Sequence, residues 1–273
     1  MKKLAILLML LVLASGCAMQ QGPQSKPLDT SPPPAAKAPD RNAQSDKIQR
    51  AVDAFNGEAG LFAKNLRTGK SIAVNENRIF PTASTHKLVV ALATYKYLYR
   101  EVDAAQKGQY DIYIKKMMQV SDNPSFHRMV RELESRKPQA LSQVLRDLGL
   151  KNTWIHSEDA FRRYGYHSVT TPAEMASVFE TIYHEQYLGK ELSAILKEEL
   201  AQTIFQDEIP RFMQKNKVMH KVGSLPGMLC DVGIIDDGRD QILISIFTVS
   251  QQEEKKASRF IAELAADVYN ALR

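Results

Sequence analysis

Strand-like runs stand at both ends of the folded part of this chain and none between them, which limits the folds open to it. Near the start, "GLFAKNL" (60–66) and "KSIAVNE" (70–76) alternate apolar and polar residues, with "RTG" between them as a turn. Near the end, "KVMHKVGS" (217–224), "MLCDVGII" (228–235) and "QILISIFTV" (241–249) read as three more strands. The sequence "DDGRD" is a tight turn before the last of them. From Thr85 to about Thr203 the spacing is helical, broken at "SDNPS", "SRKPQ", the irregular stretch 151–170 and "YLGKE". A helix over "SDKIQRAVDAF", N-capped by Ser45, precedes the first strand, and "EEKKASRFIAELAADVYNALR" closes the chain as an amphipathic helix. The order predicts an α+β fold: one antiparallel sheet formed from both chain ends, with an all-helical lobe inserted.

The first 44 residues belong to another regime. Met1-Lys2-Lys3, the apolar run "LAILLMLLVL" and "ASGC" have the layout of a signal peptide over 1–16, too short to remain as a spanning helix. Residues 18–44 hold six of the twelve prolines and no aromatic residue, so they cannot bury a core and are expected to form a flexible tether. The folded domain is then expected over 45–273. Net charge is +5, with lysines and arginines spread along the chain and no basic stripe interleaved with aromatics, which argues against a nucleic-acid partner. Histidines number six and have no metal-ligand spacing; no cofactor is expected. Cys230 lies in an apolar strand-like run and reads as a small core residue.

Three short polar motifs carry the chemistry. Ser84-Thr85-His86-Lys87 stands at a helix start, where residues three apart share a face, so a neutral Lys87 can take the proton of Ser84. Alone, such a tetrapeptide is equally a capping serine followed by a solvated lysine. Ser121-Asp122-Asn123 sits at a helix break and Lys221-Val222-Gly223 on a strand. In this order and these contexts the three resemble the S-x-x-K, S-D-N and K-T-G signature of class A serine β-lactamases and penicillin-binding proteins. The resemblance runs from about Ser45 to Arg273; "TTPAEMA" (170–176) and "LPGMLCDVGII" add to it. Cys17, after Ser15-Gly16, is similar to the lipidated cysteine of bacterial lipoproteins, which implies export and a lipid anchor in a bacterial membrane.

The resemblance implies an enzyme with its active site between the lobes, and a monomer is expected. Ser84 is expected to attack a β-lactam amide and form an acyl-enzyme, Lys87 to serve as base, and Lys221 to lower the pKa of Lys87. Ser121 is expected to relay a proton to the leaving nitrogen and Asn123 to hold the substrate side chain. The backbone N–H groups of Ser84 and Ser224 would form the oxyanion hole, and Gly223 would leave room for substrate along the strand. A peptidase acting on D-Ala-D-Ala stem peptides of peptidoglycan shares all of these residues, and an envelope binding module is a third reading.

The motifs also depart from the family. Val222 replaces the threonine of K-T-G, with Ser224 expected on the same strand face as a substitute. No arginine precedes "GII"; Arg211, Arg239 or another arginine could fold in to meet a substrate carboxylate. The E-x-x-x-N motif of the deacylation base is missing, which leaves Glu158 in "SEDAFRRYGYHS" as the candidate. His86 and His220 are expected to point away from the site, and Trp154 and the tyrosines of "RRYGYH" to pack the loop.

Overall fold

The computed structural model describes residues 41–213 and 216–273; Cys17, the signal-like segment and the Pro-rich stretch through Asp40 lie outside the described residues. The first helix, α1 (Arg41–Asp53), begins four residues before Ser45, which therefore lies within the helix and does not cap it. Residues 41–44, expected in the tether, therefore belong to α1. Strands β1 (Glu58–Asn65) and β2 (Ser71–Val74) follow around the expected turn. The closing strands are β5 (Lys217–Leu225), β6 (Met228–Asp236) and β7 (Gln241–Val249), and the last helix is α9 (Glu254–Leu272).

The five long strands form one antiparallel sheet in the order β2-β1-β7-β6-β5. The first strand thus lies beside the last, closing the sheet across the chain. Strands β6 and β7 are buried along nearly their whole length, which explains why their sequences are continuous apolar runs and not alternating ones. One face packs on α1 and α9 through Ile48, Ile244, Ile246, Ile261 and Val268. The other packs on the helical lobe through Leu243, Phe247, Phe80 and Val178.

Between Phe80 and Ala201 the structure is helical apart from two short strands the sequence did not suggest. These are β3 (Phe80–Pro81) and β4 (Val169–Thr170), paired antiparallel with Pro81 opposite Val169. A 3₁₀ turn, Ala83–His86, leads into α2 (Lys87–Ala93), every residue of which is buried. Such an all-round apolar helix, "KLVVALA", can only be the hub of its lobe. Against it pack α3 (Ala104–Gln119), α4 (Asn123–Arg136), α5 (Ala140–Asp147) and α7 (Pro172–Tyr183), and α6 (Glu158–Tyr164) and α8 (Lys190–Ala201) complete the lobe.

The 151–170 stretch is held by one carboxylate. Thr171 caps α7 by accepting from Glu174 N, and Glu174 reaches back to accept from Lys151 N, Asn152 N and Thr153 Oγ1 at 2.6–3.0 Å. Trp154 pairs with Val169 through both backbone bonds at 2.9 Å.

Candidate active site

The three motifs converge where the α2 turn, the α3–α4 break and the end of β5 meet. Lys87 Nζ donates to Ser84 Oγ at 2.7 Å, to Asn123 Oδ1 at 2.7 Å, and to Ser121 O and Oγ at 2.8 and 3.2 Å. Lys221 Nζ approaches from β5 and donates to Ser121 Oγ at 2.9 Å and to Val222 O at 2.7 Å. Ser121 Oγ thereby bridges two lysines that are both fully buried. Burial pushes the Lys87 ammonium down to about 8, and the Asp122 charge opposes the shift. Lys221 falls to about 7, through burial first and repulsion from Lys87 second. Two buried amines sharing one hydroxyl make a site in which a neutral lysine is available near neutral pH.

Local backbone geometry aims these groups. Ser121 sits at φ 56° and Ala83, directly before the nucleophile, at φ 41°, a conformation that non-glycine residues adopt at a cost. Asp122 caps α4 by accepting from Ser125 N at 2.7 Å, which fixes the turn that presents Ser121 and Asn123. Gly223 is needed for the nucleophile turn itself: a Cβ there would lie 2.8 Å from Ser84 N, 2.9 Å from Cys230 Sγ and 3.0 Å from Ala83 Cβ. The expected room for substrate is room for the Ser84 backbone.

Leu225 faces Met228 across the two-residue turn Pro226-Gly227, so the hydrogen-bonded pairs of this hairpin fall at odd numbers on β5. Ser224 N–H therefore points out of the sheet edge, away from the β6 ladder. Val222 packs in the rear core while Ser224 opens to the cleft, so the hydroxyl of Ser224 is present but not that of a residue 222 side chain. Cys230 is a buried core thiol, raised in pKa by burial, under the nucleophile turn.

The cleft beside Ser84 has a volume of about 280 Å³; among its lining residues are Asn123, Ser224, His86, His127, Tyr166 and His167. A larger hollow of about 1190 Å³, lined by Lys197, Arg211 and Met219 among others, contains none of the motif residues. Several expectations fail here. His86 does line the cleft, stacked on Phe126 at 4.3 Å with Nδ1 3.2 Å from Thr82 Oγ1. Its segment is a 3₁₀ turn with three residues per turn, which brings position i+2 nearer the face of i than an α-helix does. Burial, followed by the charge of Lys87, lowers its imidazole to about 3. Tyr166 lines the mouth and does not pack the loop. Arg211 and Arg239 stay away, the latter beside Asp240 at 3.8 Å.

Glu158 also fails to reach the nucleophile. It opens α6, is exposed, and its partner is His167 Nδ1 at 3.3 Å. Asn123 is in the cleft, but its Oδ1 is committed to Lys87, leaving the Nδ2 donor for substrate. His220 behaves as expected: fully buried behind the sheet, it contacts Asp231 at 2.9 Å and Phe205 O at 3.1 Å. His127 was legible in retrospect, since it stands four residues after Asn123 on the same face of α4.

The β-lactamase enzyme family matches residues 43–107 and 107–272. No curated protein sequence matches the chain. Among solved structures, PBP-A superposes with a TM-score of 0.72 at 20% identity, covering 84% of this chain and 95% of that one. A β-lactamase from Sphaerobacter thermophilus DSM 20745 gives 0.71 at 16%, covering 84% and 97%. The TLA-1 extended-spectrum β-lactamase gives 0.73 at 19%, covering 85% and 98%. A variant of PBP-A, with a TM-score of 0.71 at 20% identity and coverage of 84% and 96%, is known as an acyl-enzyme complex with penicillin G.

Proposed function

The chain belongs to the β-lactamase enzyme family, and from that premise we propose that it opens β-lactam amides through an acyl-enzyme on Ser84. The observation that carries the reading is the 2.7 Å contact between Ser84 Oγ and a buried Lys87 whose pKa is lowered to about 8. At pH 7.5 such a lysine is neutral in roughly a quarter of molecules, enough to serve as a general base. Lys87 takes the Ser84 proton as Oγ bonds to the carbonyl carbon. The oxyanion develops toward the N–H groups of Ser84 and Ser224, worth several kcal/mol in a preorganised site. Breaking the C–N bond needs a proton at nitrogen, and Ser121 is placed to pass one from Lys87, recovering charge balance through Lys221.

A second reading is favoured by one observation: among the described residues, no carboxylate lines the cleft. An enzyme without a water-activating group acylates and then holds the adduct, as expected of a D-Ala-D-Ala peptidase challenged with a β-lactam. The N-terminal sequence supports the further proposal that the domain is exported and anchored by lipid on Cys17, with 18–40 as its tether.

The test is a chromogenic cephalosporin with the full-length chain, following turnover and intact mass together. Turnover abolished by Ser84→Ala supports the lactamase. A lasting adduct on Ser84 selects the peptidase reading, and the absence of both turnover and adduct refutes both.

A further inference from the structure

Acylation is accounted for by Ser84 and its lysines, but hydrolysis of the adduct requires a base for water. The imidazoles on the cleft lining belong to His86, His127 and His167. We propose that His167, held by Glu158, is the general base that activates water against the Ser84 acyl-enzyme. This rests on Ser84 being the acylated nucleophile.

The placement follows from the backbone. Strand pairing sets Pro81 opposite Val169, and Thr82 N continues the ladder by donating to Ser168 O at 3.1 Å. There the chain turns into the 3₁₀ segment that carries Ser84, and His167, next to Ser168, lines the same cleft as Ala83 and Ser84. His167 is also tied on its other side. Ser157 N donates to His167 O at 2.8 Å, and His156 N donates to Ser168 Oγ at 3.0 Å. Ser157 caps α6, whose first residue is Glu158.

Glu158 Oε1 lies 3.3 Å from His167 Nδ1, and the imidazole stacks on Phe161 at 4.5 Å with an 11° tilt. With the Glu158 carboxylate beside Nδ1, the tautomer that carries its proton there is favoured, which leaves Nε2 as the acceptor. Among the described hydrogen bonds Nε2 of His167 has no partner, so it is open to a water in the cleft. The other two histidines are less suited. His86 is committed through Nδ1 to Thr82 and is pushed to about 3, too weak to take a proton from water. His127 meets Phe126 at 5.2 Å, edge to face, and has no carboxylate partner among the described contacts.

The step balances with water as the only co-reactant. Water oxygen bonds to the ester carbonyl carbon as Nε2 of His167 takes one proton, and the oxyanion rests on the N–H groups of Ser84 and Ser224. Collapse breaks the bond between carbon and Ser84 Oγ. The proton returns from the imidazolium to Oγ, and the opened acid leaves. Glu158 acts through His167 and is a positioning residue.

The full-length chain is mixed with benzylpenicillin, and formation and decay of the Ser84 adduct are timed by intact mass. His167→Asn should slow decay by roughly 100-fold or more, the usual size of a general-base contribution, while formation stays within about threefold. Added imidazole should restore decay in His167→Ala, and Glu158→Gln should slow decay by about tenfold. His156→Gln, which removes an imidazole paired with Glu134 outside the cleft, should change neither rate. Decay unchanged in His167→Asn would overturn the proposal. So would equal losses in both rates without imidazole rescue, which mark a structural role, or a wild-type adduct that never decays. Absence of both adduct and hydrolysed penicillin in the wild type is a separate result that removes the acylation reading itself.

Discussion

Replacing Lys87 by methionine should kill acylation and, at neutral pH, relieve the fold of a cost it now carries. An unfolded lysine keeps its proton up to 10.5, whereas Lys87 in the folded protein gives it up at about 8. Between those values the unfolded state binds more protons than the folded one, so wild-type stability rises with pH across that window. Below about pH 8 the full cost is present, and the drop from 10.5 to about 8 corresponds to about 3 kcal/mol. Methionine fills a similar volume and cannot ionise, so the variant lacks this dependence. Removing the Lys87 charge also relieves Lys221, which it repels, and this adds in the same direction. The stability gap between wild type and Lys87→Met should therefore move by about 3 kcal/mol in favour of wild type from pH 7 to pH 10.5. In a domain of this size that is roughly 6–12 °C in relative Tm. Urea or thermal unfolding of both proteins at the two pH values measures it. A gap that stays flat would mean that Lys87 is held as an ordinary ammonium, and the general-base argument would fall with it.

Other outcomes follow from the same contacts. The rate of Ser84 acylation should climb as pH rises through about 8, following deprotonation of Lys87, and stopped-flow adduct formation reads it directly. Gly223→Ala should slow acylation by roughly 100-fold with little change in the far-UV spectrum, because its Cβ would meet Ser84 N at 2.8 Å; misplacing the reacting group is costly even when the fold holds. Glu174→Ala should destabilise by about 1–3 kcal/mol in urea unfolding, since Lys151 N, Asn152 N and Thr153 Oγ1 lose their acceptor, and should open 151–170 to proteolysis. Ser121→Ala should slow acylation of a β-lactam by about 10–1000-fold by leaving the two lysines without their shared hydroxyl, as measured by burst kinetics.

Much of this protein was legible in its sequence because the relevant signals are local. Alternation and apolar runs marked the five long strands, and the polar tetrapeptide, tripeptide and strand motifs named Ser84, Lys87, Ser121, Asn123, Lys221, Gly223 and Ser224, which the fold brings together. Register at β5, and with it the outward N–H of Ser224, follows from two-residue turn geometry alone. Local signals also misled. Ser45 looked like a cap, yet the helix extends to Arg41. Four residues of favourable helix geometry outweigh one capping preference.

What only the tertiary structure decided is the side of the cleft facing the loop. The two-residue strands β3 and β4 are too short to leave a pattern, and they form because residues 80–81 and 169–170, far apart in sequence, are buried against one another. That pairing puts His167 beside the nucleophile turn and leaves Glu158 outside the cleft, touching the histidine and not Ser84. It also explains His86: a 3₁₀ turn forced by the junction of β3 and α2 rotates it into the site, where an α-helix would have turned it away. Sequence determined which residues could do the chemistry of acylation, because their spacing lies within single helices, turns and strands. Long-range packing decided which groups face the acylated serine, because a loop side chain's direction is set by whatever its backbone pairs with.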